Sequence, residues 1–308
     1  SSNVLKEIKN KIKDSIHILE LSSFQLEHIH HFKPKIACIL NLSNDHLDRY
    51  SKVEDYYNAK KNIFKNIDQN SYFIYNANNK SLYANNIINR IKSISFSINN
   101  NNNNGHYYLN NHFIIEKNKN KKIIDCSKIQ LLGKHNIENI LAILEIIKLL
   151  NLGNKDLIKS IYNFPPLEHR MERISTNNDI TFINDSKATN PDSTIRAISC
   201  SKEDTILILG GYSKGKINYK KIFINKILSN IQFIICYGNE GKIIHKQLKN
   251  ISNCLYINNF EKAIISAIKL AKSNYRVLLS PACSSFDQFK SFEERGEKFK
   301  TIVKQYYA

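Results

Sequence analysis

Four polar stretches of this 308-residue sequence carry side chains whose types and spacing suit chemistry. Each stretch follows an apolar run that predicts a β-strand. They are residues 20–27, residues 41–50, residues 184–191, and the pair 210–214 with 280–289. In open α/β sheets, ligands bind at the carboxyl ends of the strands. We therefore expect these stretches to form the site.

The first two stretches carry groups that could bind a cation. Glu20 stands just before Ser22 and Ser23, and a carboxylate beside hydroxyls suits a hard ion such as Mg²⁺. Glu20 could equally cap the following helix together with the two serines, and this stretch alone favours neither reading. A single histidine such as His46 is more often structural than a ligand. Its place at a second strand end favours the metal site.

Residues 184–191 place an acid and a base between a strand and a helix. Asp185 and Lys187 stand in a loop whose polar side chains and following helix N-terminus favour anions. Lys187 would act as a point charge for a phosphate or a carboxylate. The alternative is an ordinary loop in which Asp192 or Ser193 caps the helix. The number of functional groups in so short a loop favours the site.

The last pair of stretches combines glycines, a lysine and a cysteine. Gly210 and Gly211 would let the backbone come close to a ligand, and Lys214 could hold a carboxylate. Cys283 could in principle act as a nucleophile, but no histidine that could activate it stands near it in the sequence. We expect Cys283 to be a small buried thiol.

Apolar β-type runs alternate with amphipathic helical runs along the chain, which predicts βα units with a mostly parallel sheet. The pattern includes a strand at residues 17–19 and a long apolar helix at residues 136–150, for which Gly153 is the expected C-cap. Residues 99–105 are expected to form a surface loop that joins short antiparallel strands.

The length is ample for two cores, and two prolines indicate where they divide. Pro165 and Pro166 interrupt the helical pattern, after which the alternation of strands and helices starts again. We place the domain boundary there, with residues 1–167 before it and residues 168–308 after it.

The composition is that of an ordinary folded protein. The chain has 45 Lys and Arg against 27 Asp and Glu, a formal charge of +18, but only seven of the 45 are arginines. Nucleic-acid sites favour clustered arginine, so we do not expect nucleic acid as a partner. No apolar run approaches the roughly 20 residues of a membrane span. Six cysteines without a C-x-x-C pair suit a reducing cytosol.

Seven segments in chain order resemble blocks of the Mur ligase family: ELSSFQLE, NDHLDRY, GKHNIENILA, EHRMERI, INDSKATNPDST, LGGYSK and SPACSSFDQFKSFEERG. The resemblance covers nearly the whole chain. INDSKATN and SPACSSFDQFKSFEERG are the specific blocks, and they favour the member that adds D-glutamate. The resemblance implies an α/β fold. Residues 1–167 would form an incomplete central ATPase domain, whose sheet is mostly parallel with a small antiparallel part. Residues 168–308 would form a C-terminal Rossmann-like ligase domain.

The resemblance also implies an ATP-dependent, amide-forming enzyme of cytoplasmic peptidoglycan synthesis. In such enzymes ATP phosphorylates the carboxylate of UDP-N-acetylmuramoyl-L-alanine, and the amine of D-glutamate then attacks the acyl phosphate. These three substrates and Mg²⁺ are the expected partners of a monomer, with no membrane span. The residue chemistry agrees, because phosphoryl transfer depends on positioning and charge neutralisation more than on a covalent nucleophile.

The family's motifs assign roles to residues of this sequence. Glu20 and His46 match Mg²⁺ ligands, and Lys60 matches the lysine that is carbamylated beside the metal. From the sequence alone, Lys60 would be a solvated helix lysine. Nucleotide contacts match Asn136, at the adenine, and Arg170, Asp185 and Lys187. D-Glutamate contacts match Thr189, Lys214, Ser285 and Phe292. The expected catalytic residues are Lys60, His46 and Lys187.

The sequence departs from the family in two places. Family members carry a phosphate-binding loop of G-x-x-G-K-[ST] type before the ELSSFQLE block, whereas no glycine occurs here before Gly105. We therefore expect that the chain begins partway through the central domain and that these 308 residues alone make no product. Tyr212 and Ser213 also replace the usual acid–glycine pair.

Two other readings stay open. The chain could be a non-catalytic remnant that binds a nucleotide or a partner. It could also be another amide ligase of the same superfamily, such as a folylpolyglutamate synthase. Testing amino-acid substrates on the full-length protein separates the ligases.

Overall fold

The computed structural model describes residues 15–42, 49–79, 91–98, 104–131, 133–176, 179–200, 202–213, 215, 217–224 and 230–308. Within these ranges the chain forms three sheets with helices packed on them. The helices are Ser23–Glu27, Val53–Lys61, Lys134–Leu149, Asn154–Asn163, Pro191–Ile198, Tyr219–Phe223, Gly238–Leu248, Phe260–Leu270 and Phe292–Tyr306. None of these is both long enough and apolar enough to cross a membrane.

The first sheet is parallel and has helices on both faces. Its strands, in spatial order, are β1 (Ile36–Ile39), β2 (Tyr72–Asn76) and β3 (Lys92–Phe96). Successive side chains of a strand point to opposite faces. Ile74 and Phe96 therefore pack under the helix Lys134–Leu149, whereas Phe73 packs on the other face against Phe64.

A small antiparallel sheet is attached to the same long helix. Its strands are β4 (Tyr107–Asn110), β5 (Phe113–Glu116) and β6 (Lys121–Asp125). The buried carboxylate of Glu145 accepts hydrogen bonds from the backbone N–H groups of His106 (2.6 Å) and Tyr107 (3.2 Å). This bonding fixes β4 on the helix. The small antiparallel part was predicted. Of the loop predicted at residues 99–105, residues 99–103 lie outside the described residues.

The largest sheet has six strands in the order β11-β10-β9-β12-β8-β7. They are β7 (Glu172–Ile174), β8 (Thr181–Asn184), β9 (Thr205–Gly210), β10 (Ile231–Tyr237), β11 (Cys254–Tyr256) and β12 (Arg276–Ala282). Only β7 is antiparallel to its neighbour. The central strands β9 and β12 are buried along their whole length, and an apolar cluster covers each face. The described residues thus form an α/β fold with mostly parallel sheets, as predicted.

Two local expectations about the N-terminal half are wrong. Residues 17–19 form no strand and are exposed, because no described strand pairs with them. Gly153 does not cap the long helix, which ends at Leu149 with Leu150 as its C-cap. The left-handed turn after this helix is made by Asn151, whose φ is 54°, a conformation that asparagine tolerates. Gly153 instead precedes the helix Asn154–Asn163, which the sequence pattern missed.

Candidate functional site

The loop after β8 begins with a buried acid. One carboxylate oxygen of Asp185 accepts a hydrogen bond from the Ser280 hydroxyl (2.7 Å), and the other accepts one from the Met171 backbone N–H (3.2 Å). Burial raises the pKa of Asp185 to about 7. Asp185 therefore connects β8, β12 and the segment before β7. Its direct contact with a nucleotide stays a prediction.

The helix Pro191–Ile198 follows this loop, and Asn190 is its N-cap. The Asn190 side chain accepts a hydrogen bond of 2.9 Å from the Ser193 backbone N–H. The alternative in which Asp192 or Ser193 caps this helix is wrong. Pro191 takes the first helical position, where its missing N–H costs nothing, so the cap stands directly before it.

Lys187, Phe292 and His169 meet beside this loop. The Lys187 ammonium lies 4.0 Å from the centroid of the Phe292 ring. The Lys187 backbone N–H donates to the His169 carbonyl (2.9 Å), and the buried His169 ring meets Phe292 edge-on at a centroid distance of 6.2 Å. A Cβ on Gly296 would lie 2.2 Å from His169 Nδ1, so only glycine leaves room for this ring. The contacts fix Lys187 at the surface, where its ammonium can meet an anion.

Asn136 and Arg170 line one cavity of about 320 Å³. Asn136 comes from the helix Lys134–Leu149, whereas Arg170 comes from the segment before β7. Most of the other walls are apolar, among them Ile140, Ile143, Ile161, Phe164 and Met171. Apolar walls with an amide and a guanidinium at the edge suit a flat aromatic ring with polar edges, such as a purine base.

The backbone around Arg170 is wound tightly. His169 and Met171, on either side of it, have φ values of 61° and 50°, in the left-handed region that non-glycine residues seldom adopt. The Arg170 N–H donates to the Leu167 carbonyl (3.1 Å), and Asp185 holds the Met171 N–H. Such a conformation persists where surrounding bonds enforce it, so these bonds determine where Arg170 points.

Glu20 is exposed and lies just before the helix Ser23–Glu27. The cap of this helix is Ser22, which forms a capping box with Gln25. The alternative in which Glu20 caps the helix is therefore wrong. The carboxylate of Glu20 is not used by the helix and is accessible at its start.

Lys60 lies half-buried in the helix Val53–Lys61. Its ammonium is 5.2 Å from the centroid of the Tyr56 ring. Tyr56 packs on Tyr50 (5.4 Å between centroids), and Tyr50 stacks on Phe24 (6.2 Å) in the short N-terminal helix. These aromatic contacts join the helix of Lys60 to the segment that carries the predicted metal ligands. The carbamate on Lys60 stays a prediction.

His46 and Lys214 lie outside the described residues. The chain directly after the segment that contains His46 is anchored by Glu27, whose carboxylate accepts hydrogen bonds from the Tyr50 hydroxyl and from Arg49 Nη2 (2.7 Å). These two bonds, that of Tyr50 first, lower the pKa of Glu27. These bonds hold Arg49 and Tyr50 against the helix Ser23–Glu27.

Backbone bonds tie the loop after β9 to the loop after β12. Tyr212 N–H donates to the Ser284 carbonyl (2.9 Å), and Ser284 N–H donates to the Tyr212 carbonyl (3.0 Å). A Cβ on Gly210 would lie 1.9 Å from the Tyr237 carbonyl oxygen, and one on Gly211 would lie 2.2 Å from the Ser284 carbonyl oxygen. Both glycines have φ near +130°, so they serve the packing of neighbouring backbone. This packing alone accounts for both glycines, without a ligand beside them.

The remaining predicted residues of these loops differ in exposure. Ser285 is buried, and Thr189 is half-buried. Cys283 is buried with its Sγ 3.4 Å from the Tyr219 hydroxyl, and burial raises the pKa of its thiol to about 12. A thiol in this state is a poor nucleophile, which confirms the interpretation of Cys283 as a small buried residue.

Among the described residues, one further group has potential metal ligands close together. Ligand atoms of Glu168, His169 and Glu297 lie within 4.8 Å of one another. The Lys300 ammonium lies 2.6 Å from Glu297 and 3.4 Å from Glu168. Since Lys300 already supplies a positive charge there, we interpret the group as an ion-pair network.

Comparison with known proteins places this chain in a family. Residues 3–147 match the family model of the Mur ligase middle domain, and residues 169–283 match that of the Mur ligase glutamate ligase domain. A UDP-N-acetylmuramoylalanine–D-glutamate ligase of Fusobacterium nucleatum is 38% identical over 315 residues, which cover 97% of this chain and 69% of that protein. The chain belongs to the Mur ligase family.

This Mur ligase chain also resembles longer relatives and solved structures. A protein of the same name from Caldicellulosiruptor saccharolyticus is 34% identical over 304 residues, 97% of this chain and 66% of that protein. The chain thus spans about two thirds of the length of the curated relatives that it matches.

The solved structures share the fold at low sequence identity. UDP-N-acetylmuramate-alanine ligase MurC from Thermotoga maritima has a TM-score of 0.63 and 16% identity, and the match covers 92% of this chain and 61% of that one. MurF from Acinetobacter baumannii has a TM-score of 0.64 and 13% identity over 86% of this chain and 60% of that one. Identities this low show the fold alone.

Three residues of this Mur ligase that lie beside the predicted site residues were not predicted from the sequence. Asn139 lines the cavity of Asn136 one helical turn further on, and their spacing of three residues was an available signal. His169 packs under Phe292, but a histidine in a loop gave no signal. Arg295 is fully buried beside the loop after β8, although its neighbours in the sequence are charged.

Proposed function

We propose that this Mur ligase joins D-glutamate to UDP-N-acetylmuramoyl-L-alanine and converts ATP to ADP and phosphate. The cavity lined by both Asn136 and Arg170 carries the proposal, because two residues matched separately to nucleotide contacts meet there. The names of the relatives support the choice of amino acid.

The proposed reaction has two steps. A carboxylate oxygen of the alanine end attacks the γ-phosphorus of ATP, the bond from that phosphorus to ADP breaks, and an acyl phosphate forms. The amine of D-glutamate then attacks the acyl carbon, an amide forms, phosphate leaves, and the amine loses a proton to solvent. Both steps move negative charge, so the protein's main task is to position the reactants and to supply cations.

Residues from both halves of the chain divide this task. Asn136 and Arg170 would orient the nucleotide base in their cavity. Lys187 would place its ammonium against the transferred phosphate, and Asp185 would hold the backbone beside Arg170. The residues that would hold D-glutamate are Thr189, Lys214, Ser285 and Phe292.

A magnesium site formed by Glu20, His46 and Lys60 would neutralise phosphate charge when Mg²⁺ is bound. The exposed carboxylate of Glu20 fits this role, because Mg²⁺ prefers oxygen ligands. The amine of Lys60 fits it only as a carbamate, which supplies oxygen. His46 lies outside the described residues, so its part rests on the sequence.

The carbamate has its own spectroscopic test. The full-length protein incubated with ¹³C-bicarbonate is expected to show a carbamate carbon signal that disappears in Lys60→Arg. The neighbouring substitution Lys61→Arg is the matched control and should keep the signal. A signal that persists in Lys60→Arg, or that is absent from the wild type, would contradict the carbamate.

Isotope transfer tests the proposed reaction itself. UDP-N-acetylmuramoyl-L-alanine labelled with ¹⁸O in its carboxylate is supplied with ATP and D-glutamate to the full-length protein. The acyl phosphate route carries one carboxylate oxygen into the released phosphate, so ¹⁸O-phosphate is expected. Amide formation with unlabelled phosphate would exclude this route.

Loss of the guanidinium at the cavity should weaken nucleotide binding. Arg170→Ala is expected to raise the KM for ATP by about tenfold, the size of one charge-assisted contact. Arg173→Ala, which removes an exposed arginine of β7, is the control and should leave the KM within about twofold. Equal KM values in Arg170→Ala and the wild type would remove Arg170 from the nucleotide site.

The cytoplasmic location, the domain boundary after residue 167 and the inactivity of these 308 residues alone stay predictions. The boundary is supported by the sheets, since β1 to β6 precede it and β7 to β12 follow it.

A further inference from the structure

Arg295 is a fully buried cation in the first turn of the helix Phe292–Tyr306. Arginine is seldom buried without an acid, because removing its charge from water costs free energy that a paired carboxylate normally offsets. Among the described residues, Arg295 makes four hydrogen bonds, and all four go to neutral oxygens. We therefore looked for the role of Arg295 in the groups that accept its four hydrogen bonds.

The guanidinium of Arg295 joins three strand ends. Its Nε donates to Ser186 Oγ (2.9 Å) and its Nη2 to the Ser186 carbonyl (2.8 Å), in the loop after β8. Its Nη1 donates to the Cys283 carbonyl (3.1 Å), after β12, and to the Tyr237 hydroxyl (3.1 Å), at the end of β10. The planar fork of arginine can reach these partners at once, whereas the single ammonium of a lysine cannot.

A fourth loop passes beside this guanidinium. A Cβ on Gly211, after β9, would lie 3.1 Å from Arg295 Nη1, so the backbone of that loop passes directly beside the buried charge. Ser186, which accepts from Arg295, donates in turn to the Phe292 carbonyl (2.8 Å). The loops after β8, β9 and β12 and the end of β10 therefore converge on one side chain.

The residues next to these bonds are those expected to meet substrate. Lys187 directly follows Ser186, and Ser285 lies two residues after Cys283. We propose that Arg295 is a positioning residue, which sets the distance between the loops of Lys187 and Ser285 and thereby the site for the amino-acid substrate. The kinetic test of this proposal rests on the proposed function, whereas the hydrogen-exchange test does not.

The chain offers a matched control in Arg276, a second buried arginine, which lies on β12 of the sheet whose strand ends Arg295 joins. It lies at the opposite end, where β12 begins, and donates to Thr205 Oγ1 (3.0 Å) and to the carbonyls of Ala197 (3.5 Å) and Ile198 (3.4 Å). It contacts none of the loops that Arg295 joins. Arg276→Lys therefore removes a comparable set of bonds without touching the site.

The experiment compares Arg295→Lys with Arg276→Lys in the full-length protein. Arg295→Lys is expected to raise the KM for D-glutamate at least about tenfold, whereas Arg276→Lys should lower stability and leave this KM unchanged. A substitution that only destabilises the fold reduces the amount of active enzyme but not the KM of what remains folded. An unchanged KM in Arg295→Lys overturns the proposal.

Hydrogen exchange supplies a readout that does not need turnover. In Arg295→Lys, amides of residues 184–189 and 280–285 are expected to exchange faster than in the wild type, and in Arg276→Lys they are not. If the wild type makes no product, the proposed function fails and the exchange rates alone decide the role of Arg295. Unchanged exchange rates in Arg295→Lys overturn the positioning role.

A second variant covers the case in which Arg295→Lys does not fold. Tyr237→Phe removes one acceptor of Arg295, so the same amides should exchange faster by a smaller factor. Unchanged exchange rates in Tyr237→Phe would also overturn the positioning role.

Discussion

Lys187→Met is expected to lower kcat/KM for ligation by about 10²- to 10³-fold, the loss seen when one preorganised charge partner of a transition state is removed. Lys187 is exposed, and its backbone N–H donates to the His169 carbonyl in a bond that does not need the charge. The contact of its ammonium with the Phe292 ring does need the charge, but at an exposed site such a contact contributes only about 0.5–1 kcal/mol. Methionine can keep the packing on the ring, so the free energy of unfolding should change little. Phosphate release under steady-state conditions measures the effect.

Lys290→Met is the control for Lys187→Met. Lys290 is exposed and stands just before the helix Phe292–Tyr306, so the two substitutions change the net charge of the same region equally. We expect kcat/KM of Lys290→Met to stay within about threefold of the wild type. Similar losses in both variants would indicate a general electrostatic effect and would remove Lys187 from its proposed role.

Asp185→Asn is expected to abolish a pH dependence of stability. The pKa of Asp185 is raised by burial from 3.8 to about 7 in the folded protein. The folded state thus binds this proton more tightly than the unfolded state does. The resulting stabilisation is complete below about pH 4 and is lost as the pH rises to about 7. Between pH 5 and pH 8, this group lowers the free energy of unfolding by about 3 kcal/mol.

Urea unfolding at both pH values measures this difference. An asparagine at position 185 can still accept from the Met171 N–H, and the Ser280 hydroxyl can turn toward Thr194 Oγ1, which lies 3.2 Å away. Asp185→Asn should therefore lack the fall of about 3 kcal/mol. Asp179→Asn, an exposed acid of the same half of the chain, should retain it. The same fall in Asp185→Asn and the wild type would show that another group titrates.

The sequence was sufficient where one local pattern determines one structure. The alternation of apolar runs predicted the parallel sheets, because a buried strand needs apolar side chains on both faces. The isolation of Cys283 predicted a buried thiol, and it is buried. Gly153 shows the limit of such patterns. It was expected to end the long helix, but Asn151 makes the left-handed turn two residues earlier.

The sequence was insufficient where residues far apart in the chain meet. Gly210 and Gly211 invited an interpretation in terms of a ligand, whereas their neighbours are the Tyr237 and Ser284 carbonyls. The burial of Arg295 could not be predicted from a stretch that is rich in charged residues, because it depends on the packing of its helix against the sheet. The shared cavity of Asn136 and Arg170 likewise depends on the path of the chain between them. Such contacts follow from tertiary packing.

The central claim is that this chain forms part of a ligase that adds D-glutamate. The most direct measurement is product formation by the full-length protein from UDP-N-acetylmuramoyl-L-alanine and ATP, with D-glutamate, L-glutamate or no amino acid, followed by mass spectrometry. The account predicts one equivalent each of amide product and phosphate with D-glutamate, and no amide with the other two. Phosphate release that does not depend on D-glutamate, or amide formation with L-glutamate at an equal rate, would contradict it.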